Sequence, residues 1–140
     1  MNNPLTLARP EILALEPYQH AAWLPELTRL HANENPWDDA GDPPGATLNR
    51  YPEPQSAELR AALARVYGVA PEAVLAGRGS DEGIDLLVRA FCRAGQDRIL
   101  VCPPTFGMYR VAAAIQGAGI VEVPLDHSFG LDARAILGAW

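Results

Sequence analysis

Val74-Leu75-Ala76-Gly77-Arg78-Gly79-Ser80-Asp81-Glu82-Gly83-Ile84-Asp85-Leu86-Leu87-Val88-Arg89-Ala90-Phe91 is the stretch on which the reading of the whole chain turns. Three apolar residues run into a glycine turn, and Ile84, Leu87, Val88 and Phe91 then recur at helical spacing, so the stretch reads as strand, turn and helix. Gly77 and Gly79 permit a tight turn and allow a ligand to approach the backbone closely. Ser80 is suited to cap the helix, and Asp81 and Glu82 favour its first turn. A helix that begins this way aims unbonded N–H groups at the mouth of the turn, where a phosphate can sit. The plain alternative is a capped strand–helix turn with no ligand. A second glycine, which a plain turn does not need, and the aromatic segment at the end of the next strand favour a ligand.

Outward from that stretch the pattern continues. The central helix is expected over about 81–93, with Gly95 past its end. Arg98-Ile99-Leu100-Val101-Cys102 is nearly all apolar, as in a strand whose sheet is covered on both faces. Pro103-Pro104 ends it, and Thr105 is placed to cap a helix from Phe106 to Gln116, released by Gly117 to Gly119. Ile120 to Pro124 reads as a further strand. A loop with Asp126, His127 and Gly130 follows, and Leu131-Asp132 opens a helix from Ala133. Upstream, Ser56 can cap a helix in which Leu59, Leu63, Val66 and Tyr67 share a stripe, and Gly68 stops it. Alternating strands and helices at this spacing imply an α/β sheet with crossover connections. Only three strands are legible, fewer than a doubly wound sheet needs, so residues 48–140 read as the first, incomplete part of a larger α/β domain. Trp140 falls inside the last expected helix.

Residues 1–47 read differently, as an N-terminal arm and a polar loop. Pro4, Pro10, Pro17 and Pro25 interrupt helix formation. The apolar pieces between them, which include Trp23, Leu24 and Leu30, need another surface to cover them. His31-Ala32-Asn33-Glu34-Asn35-Pro36-Trp37 and Leu48-Asn49-Arg50-Tyr51-Pro52-Glu53-Pro54 flank a stretch rich in Asp, Pro and Gly. Asn33, Asn35, Arg50 and Tyr51 are groups that could contact a ligand; taken alone, ordinary turn chemistry at Asn and X-Pro is the favoured reading of them.

Composition narrows the function classes. Hydrophobic residues make up 49% and charged residues 20% of 140, with a net charge of −6, which argues against nucleic acid or an anionic membrane as the main partner. Cys92 and Cys102 fit no metal spacing and no disulfide framework, and read as free thiols in a reducing compartment. No apolar run is long enough to span a bilayer, and no signal peptide is legible, which points to the cytoplasm. All eleven basic residues are arginines. Chemistry that needs a lysine amine cannot be completed by these residues.

Ligands of open α/β sheets bind at the carboxyl ends of the strands. The turn Gly77–Gly83 and the segment Pro103–Tyr109 both belong there. One offers amides for phosphate, and the other offers Thr105, Phe106 and Tyr109, with aromatic faces for a flat ring; helix packing is the other use of such aromatics. A dinucleotide fits less well. That reading wants an acid at the end of the next strand, whereas Asp97 lies at its beginning. His20, His31 and His127 are scattered without metal-ligand spacing.

Four motifs in order, His31-Ala-Asn-Glu-Asn-Pro36, Asn49-Arg-Tyr-Pro52, Gly77-Arg-Gly-Ser-Asp-Glu82 and Cys102-Pro-Pro-Thr-Phe-Gly-Met-Tyr109, together resemble histidinol-phosphate aminotransferase, a pyridoxal-phosphate enzyme of the aspartate-aminotransferase fold. The resemblance covers nearly the whole chain. It implies an arm followed by the first part of the large three-layer α/β/α domain of a fold-type I pyridoxal-phosphate enzyme. The amides around Gly79, Ser80 and Asp81 would hold the cofactor phosphate, and Tyr109 would stack on the pyridine ring. Tyr51 would reach the cofactor phosphate of the partner subunit in a homodimer. Asn33 would lie near the substrate and Tyr18 near the substrate phosphate. The reaction implied moves an amino group between histidinol phosphate and 2-oxoglutarate, giving imidazole acetol phosphate and glutamate, in histidine biosynthesis. The Schiff-base lysine, an aspartate at the pyridine nitrogen and a carboxylate-binding arginine would lie beyond residue 140, so these residues alone are expected to be inactive, as an N-terminal fragment. Two other readings stand beside this one: a threonine-phosphate decarboxylase-like lyase of the same fold, and a non-catalytic chain that binds a phosphate ligand or a partner.

Overall fold

The computed structural model describes residues 3–18, 24, 26–37, 39–43, 46 and 48–140. Trp23, Pro25 and His20, and the middle of the Asp-Pro-Gly loop, lie outside these. The elements in order are a 3-10 turn Pro4–Leu7, α1 Pro10–Leu13, α2 Ala57–Tyr67, a 3-10 turn Pro71–Ala73, α3 Ser80–Phe91, β1 Arg98–Val101, α4 Met108–Gln116, β2 Gly119–Glu122 and α5 Ala133–Ala139. They group into two compact units, Met1–Glu16 with Gly77–Trp140, and Pro17–Ala76.

The first unit holds the sheet. β1 and β2 pair in parallel, with Ile99 opposite Ile120. Ile99 and Ile120 pack with Ile84 on a core of Val88, Cys92, Ala112, Ala113 and Ala118, where α3 meets α4. The pairing runs on beyond β2, as Val123 donates to Val101 O (3.0 Å) and Leu125 to Pro103 O (2.8 Å). Ala112 and Ala113 are 1% and 0% exposed, so the two helices approach closely because α4 is small there. Burial of the Cys92 thiol in this core, with the Asp97 charge nearby, pushes its pKa up, the state of an inert structural thiol. A groove of about 540 Å³ at the C-terminal end of α3 is lined by Leu7, Phe91, Leu100, Val121 and Trp140 among others.

The opening prolines sit at the first turns of short helical pieces, where their missing N–H costs nothing. Arg9 ties them to the sheet unit. Its N–H donates to Ala90 O and its Nη1 to Arg89 O, both at 3.0 Å, so a cation serves carbonyls at the C-terminal end of α3.

In the second unit α2 has the expected ends. Ser56 Oγ accepts from Leu59 N–H (3.4 Å), and Gly68 takes the left-handed conformation (φ +65°) while its N–H donates to Ala64 O. Arg60 reaches Pro71 O through Nε and Nη2. The strand expected at Val74–Ala76 is not formed. The segment is extended, but the groups a neighbouring strand would take are met by a side chain: Gln55 Nε2 donates to Ala76 O (2.7 Å) and Gln55 Oε1 accepts from Ala76 N–H (2.9 Å). Two strands are present among the described residues, where three were expected. No described helix is long and apolar enough to cross a membrane.

Candidate functional site

The turn before α3 differs from expectation at its cap. Gly79, not Ser80, is the residue before the helix, with φ +95° and ψ 177°, and no side chain caps α3. Ser80 is the first helical residue. The reason is conformational: only glycine enters that backbone region readily, so the turn is made at Gly79 and the helix starts one residue later. The N–H groups of Ser80, Asp81 and Glu82 find no acceptor among the described residues; the first intrahelical bond of this end is Gly83 N–H to Gly79 O. A Cβ built on Gly79 would meet nothing within 4 Å. The turn therefore presents three free donors beside open space, at the positive end of a twelve-residue helix.

Glu82 shapes this mouth in a way its helix-favouring role does not suggest. Its side chain folds back, accepting from Arg78 N–H (2.6 Å) and from Arg78 Nε and Nη2 (2.9 and 2.7 Å). A Cβ on Gly77 would come within 3.0 Å of Glu82 Oε2, so Gly77 makes room for that carboxylate. The hydrogen bonds and charge of Arg78 hold the Glu82 carboxyl below its ordinary pKa. Asp85 pairs with Arg89 Nε at 2.7 Å. Arg78 and Arg89 thus offset two of the three acids near the helix start, and the dipole and free amides are left to attract an anion.

Tyr109 stands in the first turn of α4, edge-on to Phe106 with ring centroids 6.2 Å apart. It is 38% exposed. Thr105 does not cap α4, which starts at Met108 after Gly107. At their far ends α3 and α4 are joined, as Gln116 Nε2 donates to Cys92 O (2.9 Å) and Gly95 N–H to Gly117 O (2.8 Å). Two helices packed side by side with their C-terminal ends together have their N-terminal ends together too. Gly79–Asp81 and Tyr109 therefore share one end of this unit, beyond the carboxyl ends of the strands. Asp97, at the opposite end, accepts from Arg93 N–H (2.7 Å) and supports that turn.

The second unit carries the remaining candidates. Asn33 and Tyr51 line one hollow of about 320 Å³, together with Glu34, Asn35, Asn49 and Arg50. Asn33 and its neighbour Ala32 both have positive φ, +53° and +65°. Tyr18 is exposed in the same unit, and nothing places it in the hollow. Arg50 and Asn35, offered above as ligand groups, have other work. Arg50 Nη1 pairs with Glu34 Oε2 (3.2 Å), and Asn35 Oδ1 accepts from Trp37 N–H (3.2 Å), the turn chemistry expected of Asn before Pro.

Glu34 is the residue that sequence reasoning missed. Its side chain is 1% exposed and joins Arg29, Arg50 and the Tyr51 N–H. Burial would raise its carboxyl, but the hydrogen bonds from Tyr51 N–H and Arg50 and the charges of Arg29 and Arg50 outweigh that and hold it below the ordinary 4.5. A group whose folded pKa is depressed contributes its full stability above the ordinary value and loses it as pH falls through the folded one. Acidification from above the ordinary 4.5 down through the lowered pKa should therefore release the Tyr51 amide while α2 stays protected, as read by amide hydrogen exchange corrected for intrinsic rate. Unchanged Tyr51 protection at the acid end would contradict this account of the loop.

Residues 30–139 match the family described as aminotransferase class I and II. Among curated relatives, the histidinol-phosphate aminotransferase of Stenotrophomonas maltophilia is 49% identical over 136 residues, which is 95% of this chain and 37% of the relative. That of Xylella fastidiosa is 55% identical over 113 residues, 79% of this chain and 31% of the relative. That of Xanthomonas euvesicatoria is 50% identical over 138 residues, 95% of this chain and 38% of the relative. The chain thus spans a little over a third of the length of the relatives it matches most fully. With the family model matched over residues 30–139, most of its length, the chain belongs to the class I and II aminotransferases.

Proposed function

We propose that these residues form the cofactor-phosphate cradle of a pyridoxal-phosphate-dependent histidinol-phosphate aminotransferase, which moves an amino group between histidinol phosphate and 2-oxoglutarate. The observation that carries this is the set of three free N–H groups at Ser80, Asp81 and Glu82 behind a glycine that leaves the approach open. That donor set fits a phosphate dianion. The names of the relatives supply the substrate class.

In this reading the amides at Gly79, Ser80 and Asp81 hold the phosphate, and Tyr109 covers one face of the pyridine ring. Tyr51 serves the cofactor phosphate of the partner subunit in a homodimer. Asn33 and Tyr18 address the phosphorylated amino substrate. Residues 1–47 act as arm and polar loop, and 48–140 begin the three-layer cofactor domain of a cytoplasmic enzyme. When bound, pyridoxal phosphate supplies the electron sink for amino transfer. These 140 residues contain no lysine, so the covalent anchor is supplied by residues outside them.

The test uses the full-length gene product. Glutamate and imidazole acetol phosphate formed in equal amounts from histidinol phosphate and 2-oxoglutarate support the proposal. Carbon dioxide released from a phosphorylated amino acid without glutamate would reassign the protein to a lyase of the same fold. Absence of both activities in cofactor-loaded protein would leave a binding role. Tyr109→Ala should weaken cofactor binding by roughly 1 kcal/mol, the worth of a stacked ring, read by absorbance titration of the cofactor-free protein. Equal affinity would remove Tyr109 from the ring's face.

A further inference from the structure

The geometry points to Glu34 as a positioning residue that fixes Tyr51, an inference that rests on the reading of Tyr51 as a cofactor-phosphate ligand. Tyr51 is 63% exposed, so packing does little to orient its ring. Its place is inherited from its backbone, and that backbone is held at both polar groups by one ion-paired couple. Glu34 Oε1 accepts from Tyr51 N–H (2.8 Å), and Arg29 Nη1 donates to Tyr51 O (3.3 Å). Arg29 Nη2 pairs with the same Glu34 Oε1, and Arg50 Nη1 with Oε2. Asn49 Nδ2 adds a bond to Asn35 O (2.9 Å).

The carboxylate thus bridges two segments of loop that have no regular structure of their own. It also sits directly after Ala32 and Asn33, two consecutive non-glycine residues in the left-handed region. Such conformations persist only where the surroundings over-determine them. The Glu34 pairs supply that determination, so the same carboxylate that orients Tyr51 also holds the turn presenting Asn33.

A carboxamide at Glu34 keeps the shape and one acceptor but removes the charge on which both arginines converge. The test is a double-mutant cycle on cofactor affinity in the full-length protein, with Glu34→Gln, Tyr51→Phe and the double variant. If Glu34 acts through Tyr51, each single change raises the cofactor Kd by roughly tenfold, as for loss of one hydrogen bond to a charged group, and the double variant is no worse than the weaker-binding single. Multiplying effects, near a hundredfold in the double variant, would overturn the inference. A second readout does not depend on the cofactor. In the cofactor-free protein, Glu34→Gln should speed hydrogen exchange at the Tyr51 amide while the amides of α2 keep their protection. Unchanged exchange at Tyr51 overturns the role of Glu34 whatever Tyr51 binds. Unchanged cofactor affinity in Tyr51→Phe instead overturns the assignment of Tyr51, and the exchange result still decides Glu34.

Discussion

Replacing Gly79 by valine is expected to raise the pyridoxal-phosphate Kd of the full-length protein by tenfold to a hundredfold. The cause is the backbone. Gly79 has φ +95° and ψ 177°, a region that is essentially glycine-only and costs other residues about 1–3 kcal/mol, with β-branched side chains at the unfavourable end. The chain relieves that strain by turning the peptide, and the turn carries the Ser80 and Asp81 amides with it. There is also occlusion: among the described residues nothing beyond the chain neighbours lies within 4 Å of the would-be Cβ, so valine would fill the open space through which the proposed phosphate approaches. At about 1.4 kcal/mol per tenfold, strain alone accounts for the stated range. Gly83→Ala is the matched control. Gly83 is helical and its Cβ would also meet nothing, so this variant should bind cofactor normally and gain up to about 1 kcal/mol of stability. Absorbance titration of both proteins checks the pair. Equal affinity in Gly79→Val and wild type would remove the cradle from this turn.

Ala113→Leu should have the largest effect on stability. Ala113 is fully buried where α4 lies against α3, in a core whose members are mostly alanine, valine and isoleucine. Three extra carbons have no cavity to enter there, so either leucine leaves its preferred rotamers or the helices separate. Such overpacking costs about 1–3 kcal/mol, or roughly 10 °C in the melting temperature of a unit this size. The consequence reaches the site, because moving α4 off α3 moves Tyr109 relative to Gly79. Ala114 is its exposed neighbour, and Ala114→Leu should stay within about 0.5 kcal/mol of wild type. Thermal unfolding of the two variants gives the comparison; equal melting temperatures would mean that the α3–α4 contact is looser than described.

The elements legible in the sequence are those with local causes. Helix α2 carries its own cap at Ser56 and its own stop at Gly68, and the structure uses both. Helix α5 is capped by Asp132, which accepts from Ala135 N–H. β1 and β2 are short apolar runs bounded by breakers, and they form within a residue or two of the expected ends. What escaped reading depends on distant partners. Val74–Ala76 has the composition of a strand, but a strand is defined by its neighbour, and Gln55 takes the neighbour's place. Ser80 is a good cap by type, yet the adjacent glycine decides where the helix starts. Glu34 sits between two asparagines in a polar loop, where turn chemistry is the natural reading. Its partners lie 5, 16 and 17 residues away, beyond any periodicity.

The open helix start behind Gly79 was legible, because glycine turns and helix starts are local; that it holds a phosphate is the proposal. Its most direct test is hydrogen exchange across Gly77–Gly83 in the full-length protein, with and without stoichiometric pyridoxal phosphate. Free amides at a helix start exchange quickly, and a bound phosphate would slow them. The account predicts clear protection at Ser80 and Asp81 with pyridoxal phosphate, and none with pyridoxal, which lacks the phosphate. Exchange that stays unchanged at these two amides while cofactor is demonstrably bound would contradict it.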